Sequence, residues 1–357
     1  MIISIIGVLF TFGIVIFLHE FGHFLVCKLV KVKVEEFSFG FGKALKTWKK
    51  GDTAYHVRLV PLGGYVRPAG ENIEEATGAD FEYFSKPWYT RLGIVVAGPF
   101  MNYVLAFCIF AFVIFFVGKP IPSSQPVIGE LASGYPAQGA GLKVGDRIVS
   151  VNGIKVDSWM QMAKIIHKYL EKEIVIEYSR GEMVRKMKIK TKKGPSGRYG
   201  MIGISPRIEY EKIGLLKSIK MGAYQCYYWT AFTLSTLASN IYHREKPDIA
   251  GPIGIIDIVG KAAHSGFSNF MFLVGLISVA VGLFNLLPIP LLDGGHAIMY
   301  ICEGIIRRKI TVNVMKVANS IGIAFLVFIL LFATYNDILR IVNSKFKKQA
   351  APAASQK

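Results

Sequence analysis

The sequence predicts a polytopic α-helical membrane protein of about four transmembrane helices, with a membrane-associated β-hairpin region and one inserted, extracytoplasmic α+β domain. Three observations carry this. Of 357 residues 52% are hydrophobic, mean hydropathy is +0.41, and unbroken apolar runs end near 29, 117, 287 and 339. Between the second and third runs, residues 120–205 change character: Gly, Pro and Lys rise, and strands of about five to seven residues alternate with turns. Finally, Lys and Arg fall largely outside the apolar runs, so the net charge of +18 faces phospholipid head groups. No zinc knuckle or aromatic-basic repeat accompanies those cations, which argues against a nucleic-acid partner. The four cysteines form no Cys-x-x-Cys pair, hence neither a disulfide framework nor a cysteine zinc site. Cys27, one turn beyond His23, reads as a packing residue.

Met1 to about Leu29 lacks a basic n-region and a small-residue cleavage site, so it is expected to stay as a transmembrane helix. Within it lies His19-Glu20-Phe21-Gly22-His23. On a helix, residues four apart share a face, so both imidazoles reach one metal while Glu20 stands beside it. Two imidazoles leave a Zn²⁺ short of one protein ligand and keep a position open for water. Three ionisable groups in a membrane helix are costly, and groups retained there serve a function. Lys28, Lys31, Lys33, Lys43, Lys46, Lys49, Lys50 and Arg58 follow this helix, which places its C-terminal end at the cytoplasm. His19 then lies about 27 Å along the helix, towards the cytoplasmic side.

Residues 34–66 read as strands and tight turns, with Phe37, Phe39 and Phe41 alternating, then Tyr55 to Val60 before Pro61-Leu62-Gly63-Gly64-Tyr65. A substrate helix hides its carbonyls in its own hydrogen bonds, so cutting it requires holding it extended, and a strand edge does that by β-augmentation. The alternative is a structural hairpin. The second apolar run, about 92–117, carries Pro99 near its start and Asn102, read as a helix–helix hydrogen bond or, less directly, an active-site contact.

In the polar insert, Gly141 to Gly153 ends in an Asn-Gly hairpin signal, a helix pattern follows through Trp159, Met162, Ile166 and Leu170, and strands follow around Ile174–Tyr178 and Met187–Ile189. The Gly-Leu-x-x-Gly-Asp-x-Ile-x-x-Val-Asn-Gly run resembles PDZ domains. Gly200-Met201-Ile202-Gly203-Ile204 is similar to their carboxylate-binding loop, which implies that Gly200 and Gly203 face a peptide C-terminus; a plain closing strand is the alternative. Residues 214–245, rich in Tyr and Trp, suit a helix lying at the interface. Residues 250–254 read as a turn, with His243 and His264 solvated in the connections. The third run, from about Phe267, ends in Asn285-Leu286-Leu287-Pro288-Ile289-Pro290-Leu291-Leu292-Asp293-Gly294-Gly295-His296. Its prolines break the helix at membrane depth, and Asp293 reaches the depth of His19 and His23, which makes it the natural third ligand. His296 is a rival, and Asn285 is placed to donate to substrate backbone or oxyanion. Arg307, Arg308, Lys309 and Lys316 precede a last span at about 321–339, and a disordered tail is expected over 344–357.

Together these segments, with Phe39-Gly40-Phe41-Gly42-Lys43 and Gly98-Pro99, resemble the bacterial site-2 protease family of the RseP type, regulated intramembrane zinc metalloproteases. The resemblance runs from Met1 to about Asn343. It implies zinc held by His19, His23 and Asp293, Glu20 as general base, and a hairpin, with Gly40 and Gly42, that holds substrate extended. It further implies an enzyme of the bacterial cytoplasmic membrane with its active site towards the cytoplasm, cutting a single-pass membrane protein such as a pre-cleaved anti-sigma factor or a signal-peptide remnant. Proteobacterial members carry two tandem PDZ domains and this chain shows one. The expected organisation is a membrane domain at 1–118, the PDZ domain at 120–205, an interfacial helix and second membrane part at 206–343, and the tail. A membrane-anchored PDZ adaptor with an inactive site is the alternative function.

Overall fold

The computed structural model of the protein describes residues 2–72, 76–194, 197, 199–243 and 251–349. The chain forms two compact units, one of Met1–Ile114 with Gly214–Lys357 and one of Phe115–Ile213.

The first unit opens with α1 (Ile2–Leu29), which carries no acidic residue in its first turn and Lys28 in its last. At 1.5 Å per residue its 28 residues exceed the hydrocarbon thickness of a bilayer, roughly 30 Å. Two long antiparallel strands follow, β1 (Val34–Lys50) and β2 (Thr53–Pro68), joined through Gly51 at φ +59°. Their register doubles back. Residues 44–50 pair with 53–58, whereas Glu36 to Phe39 lie between residues 54–57 on one side and 64–67 on the other. Gly40 and Gly42, at φ +87° and +83°, make that corner, and a Cβ at Gly40 would stand 2.7 Å from the Val60 carbonyl oxygen. The sequence expectation of strands here holds, and the stretch 64–68 becomes an edge of the sheet.

Pro87 opens α2 (Trp88–Val117), four residues before the expected start, so Pro99 stands well inside the helix. The polar insert then builds the second unit: β3 (Lys119–Pro122), β4 (Ile128–Leu131), the short α3 (Pro136–Gly139), β5 (Arg147–Val151), β6 (Ile154–Lys155), α4 (Trp159–His167), β7 (Glu173–Arg180), β8 (Met183–Lys190), β9 (Lys192–Lys193), β10 (Gly200–Met201), β11 (Ile204–Pro206) and β12 (Ile208–Glu211). The sheet order is β6-β5-β7-β8. Asn152 and Gly153, both at positive φ, close the β5–β6 hairpin, as the Asn-Gly signal predicts. Its core gathers Ile128, Ile148, Met162, Ile174, Ile176 and Ile202. β12 pairs with β3, so the unit extends beyond residue 205, the limit expected from composition.

The chain then returns to the first unit with α5 (Leu215–His243), α6 (Pro252–His264), α7 (Phe267–Asn285), α8 (Asp293–Ile306) and α9 (Val312–Gln349). Among the described residues four helices are long and apolar enough to cross a membrane: Ile2–Leu29, Trp88–Val117, Phe267–Asn285 and Val312–Arg340. α5 is not one of them, in keeping with its aromatic composition. Three expectations are corrected. The stretch read as a turn at 250–254 is a helix start from Pro252 onwards, with Gly251 as N-cap and Pro252 in the first turn. α9 begins nine residues before the expected 321 and therefore contains Lys316. It continues to Gln349 because no helix breaker intervenes before Pro352, so 344–349 of the expected tail is helical; 350–357 lie outside the described residues.

Candidate metal centre and active site

Helix periodicity stacks His19 and His23 on one face of α1, and their Nε2 atoms lie 3.2 Å apart. Oδ2 of Asp293, in the first turn of α8, lies 3.1 Å from Nε2 of His19 and 3.6 Å from Nε2 of His23. Zinc bonds of about 2.0–2.2 Å at tetrahedral angles separate ligand atoms by about 3.3–3.5 Å. These three atoms therefore stand as three corners of one coordination tetrahedron. The chemistry of the donors agrees, because Oδ2 of Asp293 is buried with only the two imidazole Nε2 atoms facing it, and a cation among the three would satisfy all of them. The residues present fit a zinc ion.

The other ring nitrogens are held from behind. His23 Nδ1–H donates to the Ile94 carbonyl at 2.8 Å, which leaves the Nε2 lone pair for a metal. His19 Nδ1 faces the Asn102 amide at 3.2 Å, while Oδ1 of Asn102 is buried without a partner. Turning that amide about its axis, an assignment fixed only by hydrogen bonding, gives His19 Nδ1–H its acceptor and fixes the same tautomer. Asn102 thus reaches the site, the less direct of the two roles its sequence position suggested. It also ties α2 to α7, since Ser278 Oγ donates to its carbonyl at 2.8 Å.

Tight helix crossing makes this possible. A Cβ at Gly22 would lie 2.3 Å from the Ala97 carbonyl oxygen, and one at Gly98 would lie 2.2 Å from His23 Nε2. Gly98 leaves the room the imidazoles occupy. Asp293 is delivered by a similar device: Cβ atoms at Gly294 and Gly295 would strike the carbonyl oxygens of Leu287 and Ile289 at 2.2 and 2.3 Å, so the proline-broken segment folds directly over the start of α8.

Glu20 sits at the edge of the sheet. The Val66 backbone bonds its carboxylate, and Gly64 lies close to its Cγ. His19, Glu20, His23 and Asp293 line one cavity of about 370 Å³, together with Glu71 and, from α9, Asn319. His296 lines it too, stacked on Tyr300, and stands outside the three-atom cluster. Cys27, fully buried with Val32, Val34 and Tyr83, is a packing residue as expected. The sequence gives no role to Glu71 or Asn319, and it names Gly98 only within the Gly98-Pro99 segment, a signal of close backbone approach.

The remaining predicted site residues fall elsewhere. Asn285 ends α7 and Gly40 and Gly42 turn β1; none of them lines the metal cavity. Gly203, at φ +80°, and Ile202 line a small cleft of about 150 Å³ against Trp159, Met162 and Ile166 of α4. The carbonyls of Ile202 and Gly203 accept from Ala137 and Ala132, and no backbone acceptor meets their amides among the described residues. Gly200 lies against the Tyr169 carbonyl instead, where a Cβ would come within 2.0 Å.

A largely buried two-histidine, one-carboxylate cluster beside a glutamate, built between apolar helices, is the kind of site a membrane-embedded metallohydrolase carries. Residues 7–329 match the model of peptidase family M50, and the chain belongs to that family. It is similar to the regulator of sigma-W protease RasP of Bacillus subtilis, 27% identical over 95% of this chain and 99% of that one. It is likewise similar to the zinc metalloprotease RasP of Geobacillus kaustophilus, 28% identical over 94% and 97%. A solved PDZ domain from Listeria monocytogenes aligns with 24% of this chain and 90% of its own at 22% identity and a TM-score of 0.22. The protein is a zinc metalloprotease and a multi-pass membrane protein.

Proposed function

We propose that this protease cuts single-pass membrane proteins within or beside their transmembrane segment, with His19, His23 and Asp293 as zinc ligands and Glu20 as general base. The observation that carries the reading is the convergence of both Nε2 atoms and Asp293 Oδ2 beside the Glu20 carboxylate. Zinc, when bound, supplies a Lewis acid and lowers the pKa of a water to about 7. Glu20 takes the proton as water attacks the scissile carbonyl and returns it to the leaving nitrogen. The Nδ1 bonds of His19 and His23 keep both rings in the ligating tautomer throughout. Residues 64–68 offer an edge strand next to Glu20, so a chain paired there runs extended past the base. Asn285 and the Gly40–Gly42 corner, which lie outside the metal cavity, are assigned to substrate contacts on the strength of the family resemblance.

The expected substrate is an anti-sigma factor already shortened on the outside, or a signal-peptide remnant; the sigma-W regulator among its relatives supports the first. The Lys and Arg excess after α1 supports an outward PDZ domain and an active site towards the cytoplasm. The free amides of Ile202 and Gly203 suit a new peptide C-terminus, one way of sensing the first cut. Co-expression with a tagged single-pass substrate lacking its outer domain tests the reading. Wild type should clip it, Glu20→Gln should retain zinc without clipping, and Asp293→Ala should lose zinc. Equal zinc in all three would remove Asp293 as a ligand, and zinc without clipping in wild type would remove the assignment of pre-shortened single-pass membrane proteins as its substrates.

A further inference from the structure

The start of α2 and the end of α8 enclose a second cavity, of about 410 Å³, whose wall carries Lys86, Arg307, Arg308 and Lys309. We propose that it binds the phosphate of an anionic phospholipid. The charge balance points to an anion. Glu303 is the carboxylate on the wall, and it is already committed to an ion pair with Arg91, both buried at 8% and 2% exposure. Among the described residues Arg307 and Arg308 have neither hydrogen bond nor ion pair, and Lys309 reaches the Phe84 carbonyl at 3.5 Å. The C-terminus of α8 offers about half a negative charge, which suits one cation and leaves the others unmatched. Arg307 adopts φ +57°, a left-handed conformation usually given to glycine at a helix end, and this turn carries three consecutive cations along the cavity wall. Guanidinium groups bind phosphate oxygens in pairs, so two of them beside two ammonium groups form a phosphate receptor.

The surroundings favour a lipid over a free anion. The span of α2 begins at Trp88, whose indole rests against Gly304, where a Cβ would come within 2.5 Å of the ring. A tryptophan at the end of a span marks head-group level. Next to the cations, Tyr89, Ile305 and Ile306 are 62%, 75% and 65% exposed, an apolar surface that an acyl chain covers and a soluble phosphate does not. Basic pockets between membrane helices bind lipid head groups on this principle.

The test uses the full protein, delipidated in detergent and returned to nanodiscs of phosphatidylcholine with or without phosphatidylglycerol, with retained lipid read by native mass spectrometry. Wild type should retain phosphatidylglycerol in preference to phosphatidylcholine. Removing three charges in Arg307→Gln/Arg308→Gln/Lys309→Gln should weaken retention about a hundredfold. Lys46→Gln/Lys49→Gln/Lys50→Gln, with the same charge change on the hairpin, should retain it as wild type does. Single substitutions Arg308→Gln and Lys309→Gln, both on exposed side chains, keep the test readable if the triple variant does not fold. Equal loss in both triple variants would reduce the effect to general surface charge and overturn the site. Displacement of the lipid by inorganic phosphate alone, at matched ionic strength, would make it a free-anion site and overturn the lipid assignment.

Discussion

Gly98 and His23 cannot both carry a side chain in the same place: a Cβ on Gly98 would lie 2.2 Å from Nε2 of His23 and 2.9 Å from Cε1 of His19. The candidate metal centre is therefore shaped by α2 as much as by the histidines. Gly98→Ala should push the imidazoles off their common point. Overpacking of this kind costs about 1–3 kcal/mol, which, if it falls wholly on the metal-bound state, is about a 5- to 150-fold loss in zinc affinity. Gly93→Ala, in the same helix with nothing within 4 Å, is the control. Zinc content of the two purified variants decides; full zinc in Gly98→Ala would mean that the helices separate without cost.

Asn102→Ala should weaken zinc binding about 10- to 100-fold, the usual effect of removing a group that orients a ligating histidine. Asn102→Asp keeps an acceptor for His19 Nδ1–H and should recover most of that loss. Packing between α2 and α7 should persist in both, because Ser278 bonds the backbone carbonyl of residue 102. Competition with a zinc chelator measures the ratio, and equal affinity in Ala and Asp variants would leave Asn102 a spacer.

Much of the fold and site is legible along the chain, and the limits have physical causes. His19, Glu20 and His23 are readable because one helical turn links them, and Asp293 because chain length between apolar runs fixes its depth. The contacts of Gly98 and Asn102 depend on how two helices cross, so the Gly-Pro dipeptide and the intramembrane Asn mark the segment without fixing what either residue touches. α6 hides because its start, Gly251-Pro252, looks like a turn until its cap appears, and that cap is Asp337, 86 residues away. The hairpin is legible as strands, while its doubling back at Gly40 and Gly42, and hence the edge at 64–68, arises from tertiary packing.

The second unit should lose stability in acid as Asp146, its buried carboxylate, takes up a proton. Burial opposes ionisation of Asp146, but the Arg180 guanidinium, at 2.7 and 2.8 Å, and the Lys143 amide hold its carboxyl below the usual range. A depressed carboxyl contributes stability that is fully present above its unfolded value, about 3.9, and is lost as pH falls through the folded value. Protection of the Ile148, Ile174 and Ile176 amides in the full protein, taken relative to the intrinsic exchange rate at each pH, should therefore fall at the acid end. Asp146→Asn should exchange faster already at neutral pH and show less of that acid dependence. An unchanged acid profile in this variant would assign the effect to other carboxylates.

Asp337 links the last span to α6, and the link should behave as a unit. Its carboxylate, 2% exposed, accepts the Gly251 N–H at 3.1 Å and the Gly254 N–H at 2.8 Å, satisfying amide groups that the first turn of a helix leaves free. Negative charge at that end also complements the helix dipole. A Cβ at Gly251 would meet Asp337 Oδ2 at 2.6 Å and the Ala333 carbonyl at 2.8 Å, so the glycine is what lets α9 approach. Asp337→Ala should destabilise the protein by about 1–2 kcal/mol, as loss of a helix cap does, and Asp337→Asn by less, since one acceptor remains. Gly251→Ala should destabilise it by forcing α9 away from the cap. Because that displacement already breaks the Asp337 bonds, adding Asp337→Ala should cost little more, a non-additivity expected only of residues in one contact. Thermal unfolding of the two single variants and the double variant in detergent measures it, and simple addition of the two effects would show that α6 is held without this cap.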